Sequence, residues 1–151
     1  MHRSFAVVAL ATLGLLVSAS TARAETITVC ASGCDYTSIN DAIDAASDGD
    51  RIQLSAETYH IDGPIELGEG GVDKPLKITG EVDADGTPLT SIQASSGTRC
   101  FYIFGPVGPD TVIRNLIITG GSGLERGGGV YCVGDPTIIN CHFLDNAVSD
   151  A

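Results

Sequence analysis

Two segments in the C-terminal third of the chain repeat one pattern of side chains. Residues 111–121, TVIRNLIITGG, align with residues 136–146, PTIINCHFLDN, at a step of 25. Apolar residues coincide at alternating positions, and Asn115 coincides with Asn140. A chain that repeats short alternating strands at a constant step is predicted to stack them in layers, because each layer then covers the core of its neighbour.

Shorter segments upstream indicate a similar step. RIQLSA (51–56) aligns with PLKITG (75–80) at a step of 24, and PLKITG aligns with CFYIFG (100–105) at a step of 25. GVYC (129–132) continues the series after a step of 29, which a longer loop can absorb. No long helical pattern interrupts the region. The sequence therefore predicts an all-β solenoid of about four coils from Arg51 onwards.

The coincidence of Asn115 with Asn140 favours this solenoid over a β-sandwich of similar strands. Asparagine tolerates left-handed backbone conformations, and asparagines stacked at a tight bend can hydrogen-bond to one another along the axis. A sandwich requires neither a constant step nor stacked asparagines. Asn115 and Asn140 are therefore predicted to form a structural ladder.

A one-sided helix is predicted over residues 37–47, before the first coil. Ser38 with Asp41 resembles a capping box, and Asp48-Gly49 is a helix stop. Apolar residues recur at helical spacing: Ile39, Ala42, Ile43 and Ala46. Since the first coil of a solenoid exposes an apolar cross-section and unpaired strand edges, we expect this helix to cover them.

The first 24 residues have the pattern of a secretory signal peptide. A basic start precedes an apolar run and Ala22-Arg23-Ala24, and cleavage is expected after Ala24. The apolar run is too short for a comfortable membrane span, and the expected mature part of 127 residues contains no transmembrane segment. The protein is therefore expected to be secreted, either extracellular or at the cell surface, and associated with the outer membrane if it is bacterial.

The expected mature protein is strongly acidic. Loss of Arg3 and Arg23 with the signal peptide changes the formal net charge from −11 to −13. Such a surface repels phosphate backbones and anionic membranes, so nucleic acid is excluded as a partner. It also repels acidic polysaccharides unless divalent cations bridge the two.

Five cysteines in an exported chain indicate oxidised pairs with one cysteine left over. Cys30 and Cys34 are the closest pair, and Cys132 with Cys141 is a second candidate if a turn brings them together. Cys100 is then unassigned. The C-x3-C spacing, with no second pair of matching spacing and no nearby histidine, is weak support for zinc.

The helix and first coil, YTSINDAIDAASDGDRIQLSAETYHI (36–61), followed by PLKITG, resemble the start of right-handed parallel β-helix proteins of the pectin-lyase-like superfamily. GGGVYC and PTIINCHFLDNAVSDA resemble the repeat of bacterial secreted and surface β-helix proteins related to chlamydial polymorphic outer-membrane proteins. The resemblance covers most of residues 36–151. It implies a right-handed parallel β-helix with an N-terminal capping helix, and it leaves the activity open, because this fold carries many activities.

The predicted organisation has three parts: a signal peptide (1–24), an N-terminal strand with the capping helix (25–50), and parallel β-helix coils (51–151). The coils are incomplete at the C-terminus, since FLDNAVSDA stops part-way through a coil. We expect either that the sequence is an N-terminal fragment that continues into further coils, or that a partner chain covers this end.

Two candidate sites are identified by residue type. Glu81, Asp83 and Asp85, followed by glycine, place acids at alternate positions as in the first half of a calcium loop. The twelfth position is Ile92 rather than an acid, so an ordinary acidic turn is the alternative. Tyr102 and Tyr131 coincide at the step of 29, and, if both point outward, they form a platform for sugar rings.

No complete catalytic constellation is recognisable in these residues, and no cofactor other than calcium is expected. The preferred function is a secreted or cell-surface scaffold module that binds a polysaccharide or surface glycan or mediates surface contact. The alternative is the N-terminal part of a polysaccharide-degrading enzyme, a lyase or glycoside hydrolase, whose active coils lie beyond residue 151.

Overall fold

The computed structural model describes residues 23–68, 74–122 and 125–148 of the chain. The predicted signal peptide lies outside the described residues except for Arg23 and Ala24, and residues 149–151 of the predicted coils also lie outside them.

The described residues form one helix, α1 (Ile39–Ala45), and twelve β-strands. The strands are β1 (Thr26–Val29), β2 (Arg51–Leu54), β3 (Thr58–Ile61), β4 (Ile65–Leu67), β5 (Lys77–Thr79), β6 (Thr90–Ala94), β7 (Phe101–Phe104), β8 (Val112–Arg114), β9 (Leu116–Thr119), β10 (Val130–Val133), β11 (Thr137–Ile139) and β12 (His142–Leu144).

The strands build three sheets, and all neighbouring strands within them are parallel. The first sheet contains β1, β2, β5, β8 and β11, the second contains β3, β6, β9 and β12, and the third contains β4, β7 and β10. From β2 onwards the chain enters the first, second and third sheets in that order; we call each such round a pass. The prediction of an all-β fold with one helix is confirmed.

Rows of isoleucines fill the space between the sheets. Ile52, Ile78 and Ile113 pair in succession across the first sheet, and Ile92 and Ile118 pair in the second; all five are fully buried. Strand alternation points every second side chain inward, and fully burying one such side chain contributes roughly 1.5–3 kcal/mol. A slip of one residue would expose a whole row, so these rows specify the register.

The predicted alignment of the upstream strands is wrong in two places. Ile52 pairs with Ile78, at a separation of 26, and not with Leu76 at 24. The segments 75–80 and 100–105 are not successive layers, because β5 lies in the first sheet and β7 in the third.

An insertion in the second pass explains the second of these errors. A tight hairpin follows β5, with an antiparallel bridge between Val82 and Pro88. It lengthens the pass, so Ile78 pairs with Ile113, 35 residues later. The predicted steps of 29 between β7 and β10 and of 25 between β8 and β11 are confirmed.

Helix α1 covers one end of the isoleucine rows. The Ser38 hydroxyl caps it by accepting the Asp41 N–H at 3.3 Å, and the extended backbone of Ala46 ends it, so it is shorter than predicted. Its buried residues are Ile39, Ala42 and Ile43. The helix contacts β1, β2 and β4, and therefore lies against strands of the first and third sheets.

Polar side chains complete this end of the fold. Asn40 Nδ2 donates to the carbonyl oxygen of Pro64 at 3.0 Å, and Asn40 Oδ1 accepts the N–H of Glu66 at 3.2 Å, so α1 satisfies the edge of β4. Lys74 Nζ donates to the carbonyl oxygen of Ile43 at 2.8 Å. That contact supplies a partner for a helix-terminal carbonyl that no residue of the helix can reach.

Asp50 links the segment after the helix to the segment before β1. Its carboxylate accepts the N–H of Glu25 at 2.7 Å and the N–H of Ser47 at 2.8 Å, and the side chain is buried. The Glu25 bond, followed by the Ser47 bond, lowers the pKa of Asp50 from its ordinary value of 3.8 against the opposing effect of desolvation. The ionised form is therefore the one that stabilises the fold.

Replacing Asp50 with asparagine should destabilise the protein by about 1–3 kcal/mol at neutral pH, because an amide oxygen and an NH2 group replace two acceptor oxygens and one N–H loses its partner. Urea denaturation of Asp50→Asn beside Asp48→Asn, an exposed carboxylate nearby, tests this role. Equal stability of the two variants would contradict it.

The same bonds predict a pH dependence. Because the pKa of Asp50 is lower in the folded state, its stabilising contribution is present above pH 3.8 and is lost as the pH falls through the folded-state pKa. The difference in unfolding free energy between the wild type and Asp50→Asn should shrink below pH 3.8. A difference that stays constant over this range would contradict the prediction.

Candidate functional site

Two tyrosines stack on the outer surface of the third sheet. Tyr102 in β7 pairs with Tyr131 in β10, and the ring centroids lie 5.5 Å apart with the planes at 14°. Phe101 and Ile103, which flank Tyr102 in the strand, are fully buried, so alternation turns Tyr102 outward. The register that stacks the strands therefore also stacks the rings.

Arg99, two residues before β7, lies against both rings. Its Cζ is 4.9 Å from the ring centroid of Tyr131 and 5.4 Å from that of Tyr102. A guanidinium at this distance is attracted by the negative ring face. Within the described part of the chain Arg99 forms no ion pair with a carboxylate, so its N–H donors are available to a ligand.

Two further apolar side chains extend this surface. Phe104 lies two residues after Tyr102 on the same side of β7, with ring centroids 5.9 Å apart and planes at 6°. Phe104 pairs with Val133 in β10, and the two are 49 % and 50 % exposed. We call the surface formed by Arg99, Tyr102, Phe104, Tyr131 and Val133 the aromatic face.

The chemistry of the aromatic face suits a ligand with a flat apolar surface and a polar rim. Parallel rings offer packing area for the C–H face of a sugar ring, while two phenol hydroxyls and a guanidinium can bond to hydroxyl groups at its edge. Glu66 in β4 pairs with Tyr102, so a carboxylate-bearing residue lies at the edge of the aromatic face. The sequence pattern identified the two tyrosines but missed Arg99 and Phe104. Phe104 could have been found, because it lies two residues after Tyr102 and alternation places both on the same side of a strand.

The acidic turn after β5 is held by its own carboxylates. Asp83 Oδ1 accepts the N–H groups of Asp85 at 3.0 Å and Thr87 at 2.8 Å, and Glu81 Oε1 accepts Gln53 Nε2 at 3.0 Å. Among the residues that the structure describes, no group of three or more His, Cys, Asp or Glu side chains is placed to hold a metal ion. Calcium binding by Glu81, Asp83 and Asp85 stays a prediction.

The two asparagines of the repeat are in contact at successive bends. Asn115 and Asn140 have positive φ angles of 60° and 50°, and Asn140 Nδ2 donates to Asn115 Oδ1 at 3.0 Å. Asn115 Nδ2 donates to the carbonyl oxygen of Gly80, which occupies the equivalent position one layer earlier, at 3.4 Å. A Cβ on Gly80 would collide with the carbonyl oxygen of Asn115, which explains glycine at that bend.

The disulfide Cys30–Cys34 closes the turn after β1. Beyond it, Tyr36 forms a parallel bridge with Val29 of β1: the N–H of Cys30 donates to the carbonyl oxygen of Tyr36, and the N–H of Tyr36 donates to that of Thr28, both at 3.1 Å. Tyr36, just after the disulfide-closed turn, therefore covers part of the outer edge of the first sheet.

The remaining cysteines, Cys100, Cys132 and Cys141, are free thiols. Cys132 belongs to β10 in the third sheet, whereas Cys141 lies between β11 and β12, so the two are attached to different sheets. Burial raises the pKa of the Cys100 and Cys141 thiols, which keeps both in the less reactive protonated form.

Comparison of the chain with protein-family models, with curated proteins and with solved structures gives no match. Within residues 23–68, 74–122 and 125–148, no helix has the length and apolar character needed to cross a membrane.

The asparagine ladder predicts two separable losses of stability. Asn115→Ala removes the acceptor for Asn140 and places a Cβ-bearing residue without a local polar contact at positive φ, whereas Asn115→Gly removes only the hydrogen bonds. Both variants should be destabilised, and the alanine variant by about 1 kcal/mol more, because the left-handed conformation costs roughly 1–2 kcal/mol for such residues. Urea denaturation measures both; equal stability of alanine and glycine would contradict a strained bend.

Proposed function

We propose that the protein is a secreted or cell-surface right-handed parallel β-helix, similar to the pectin-lyase-like superfamily, that serves as a rigid module for glycan binding. The repeated order of three parallel sheets supports the β-helix, since each pass contributes one layer to every sheet. The disulfide supports an oxidising environment and therefore export.

The stacked pair Tyr102 and Tyr131 with Arg99 carries the glycan proposal. These side chains are half-buried and come from strands whose register is held by the core, so the rings are already positioned before a ligand arrives. Preorganised rings lose little conformational freedom on binding. Contiguous exposed apolar surface of this kind marks interaction sites more often than single scattered apolar residues do.

Charge narrows the class of glycan. The chain carries 19 acidic and 8 basic residues, so polyanionic polysaccharides are repelled unless divalent cations bridge the two surfaces. Neutral sugars are therefore the expected ligands, with the Arg99 guanidinium donating to ring or exocyclic hydroxyls. The remaining described strands act as scaffold that holds the aromatic face in place.

A glycan array probed with and without calcium tests the proposal. Wild-type protein should bind neutral saccharides, and Tyr102→Ala or Tyr131→Ala should each weaken binding about three- to tenfold, the equivalent of ~0.5–1.5 kcal/mol per aromatic contact. Ile139→Ala is the matched control, because Ile139 is an exposed apolar residue of the first sheet.

Two results would contradict glycan binding at the aromatic face: no binding to the array with or without calcium, or an equal loss of affinity in Ile139→Ala and the tyrosine variants. Binding that appears only with calcium and survives both tyrosine substitutions would move the site elsewhere on the molecule.

A further inference from the structure

A groove with two walls runs beside β3. One wall is β3 with the turn that follows it, and the other is the segment 37–40, which leads into α1. The groove has a volume of about 450 Å³, within the range of roughly 300–1,000 Å³ that ligand pockets occupy. Buried side chains of Ile39, Tyr59 and Ile65 line it together with exposed polar groups. It is therefore large enough to hold a short extended ligand.

The backbone of β3 is hydrogen-bonded on one side only. β3 is the outermost strand of the second sheet, and the carbonyl oxygen of Glu57 accepts the N–H of Ser91 from the side of β6. Alternation in a parallel ladder then turns the N–H and C=O groups of Thr58 and His60 to the other side, into the groove. Neither residue forms a backbone hydrogen bond with any described residue. Unpaired edges of this kind are templates for strand addition.

The two walls are joined only at the ends of the groove. At one end the N–H of Ala31 donates to Glu57 Oε1 at 2.8 Å, and at the other Asn40 Nδ2 donates to the carbonyl oxygen of Pro64 at 3.0 Å. Between these points no hydrogen bond links 37–39 with 58–62 in the part of the chain that the structure describes. The walls are thus held apart, and the edge of β3 is left to a ligand.

Further coils of this chain would not cover the groove. In the second sheet β3 and β12 lie at opposite edges, so any strand that follows β12 adds far from β3. Upstream, a 2.7 Å hydrogen bond fixes the N–H of Glu25 on Asp50, beside the first sheet. Residues 1–24 leave with the signal peptide if the protein is exported as proposed. The groove therefore keeps its form whatever follows residue 151.

Charge in the groove favours a basic ligand. The acidic and basic side chains that line it are Glu57, His60 and Asp62, and no lysine or arginine is among its described lining residues. One carboxylate oxygen of Asp62 accepts the Ser95 hydroxyl at 2.5 Å, and the other has no partner among the described residues. The formal net charge of −11 adds a long-range attraction for cations.

We propose that the groove beside β3 binds an extended peptide segment that carries a basic side chain. The peptide backbone pairs with the unpaired N–H and C=O groups of Thr58 and His60, as an outer strand of the second sheet. Its lysine or arginine reaches the Asp62 carboxylate. Main-chain bonds provide the affinity, and the carboxylate provides the specificity. Sugar hydroxyls match the alternating donors and acceptors of a strand edge less well.

Titration of the acetylated and amidated peptide Thr-Val-Lys-Val-Thr into isotope-labelled protein tests the proposal, because β-branched residues favour an extended backbone. The peptide should bind saturably and shift the amide NMR signals of Thr58, His60 and residues 37–40. Glutamate in place of its lysine should weaken binding at least about fivefold. Methylation of every backbone nitrogen, which removes the donors needed for strand pairing, should weaken it at least about tenfold.

A matched pair of protein variants tests the carboxylate. Asp62→Asn keeps an acceptor oxygen for the Ser95 hydroxyl but removes the charge, whereas Asp110→Asn removes an exposed charge in the turn before β8. Asp62→Asn should weaken the lysine peptide about threefold and leave a glutamine version unchanged. Asp110→Asn should leave the affinity for both peptides unchanged.

A third variant tests the strand edge. Thr58→Pro removes an N–H that faces the groove and no N–H that bonds to β6, and proline is tolerated on edge strands in this orientation. It should weaken the lysine and glutamine peptides alike, by about fivefold or more. Circular dichroism checks that this variant retains the fold.

The proposal is wrong if no peptide binds saturably, if lysine and glutamate peptides bind equally, or if the signal shifts are confined to the aromatic face. Three further results would give the groove another occupant and would also overturn it. These are a protein dimer that Thr58→Pro abolishes, peptide binding that requires prior removal of residues 1–24, and glycan binding that Asp62→Asn abolishes while the tyrosine variants retain it.

Discussion

The in-register pairing of inward isoleucines is the interaction on which the rest of the structure depends. Ile52, Ile78 and Ile113 lie one above the other, and each is fully buried only because a neighbour covers it. A single layer cannot bury its own apolar side, so the layers stabilise one another in sequence rather than independently. At the first layer α1 and Tyr36 provide this cover, whereas Ile138 and Phe143, in the last layer that the structure describes, are exposed.

The same register determines which side chains lie on the outer surface of the sheets. Inward positions are committed to the core, and alternation then aligns the outward positions of successive layers into rows. Tyr102 and Tyr131 belong to one such row, and Arg99 joins them from the preceding turn. Bends and loops carry most of the charge and absorb insertions, as the hairpin after β5 does without disturbing the rows on either side. The aromatic face thus has two causes. Stacking aligns the outward positions of β7 and β10, and the residues at those positions are mainly aromatic.

The repeating parts of this structure could be predicted from the sequence. Contacts that occur only once in the fold could not. The strands around Asn115 and Asn140 were aligned correctly because no insertion separates them. The hairpin after β5 broke the constant step, so residues 75–80 were wrongly aligned with residues 100–105. Helix α1 was predictable from Ser38 and the spacing of its apolar residues. Tyr59 was not: its hydroxyl donates to the carbonyl oxygen of Val29 at 2.6 Å, and burial raises its pKa to about 12, a contact between residues 30 positions apart. For the aromatic face, pattern analysis found the two tyrosines; the position of Arg99 over both rings required the turn geometry.

Cross-strand nuclear Overhauser effects between backbone protons test the layer register most directly. The structure requires contacts of Ile78 with Ile113 in the first sheet and of Ile103 with Leu67 in the third. Both sets should appear in isotope-labelled protein under native conditions. Contacts between Ile78 and Ile103 instead, which the constant step of 25 would place in adjacent layers, would contradict the three-sheet arrangement and with it the stacking of Tyr102 on Tyr131.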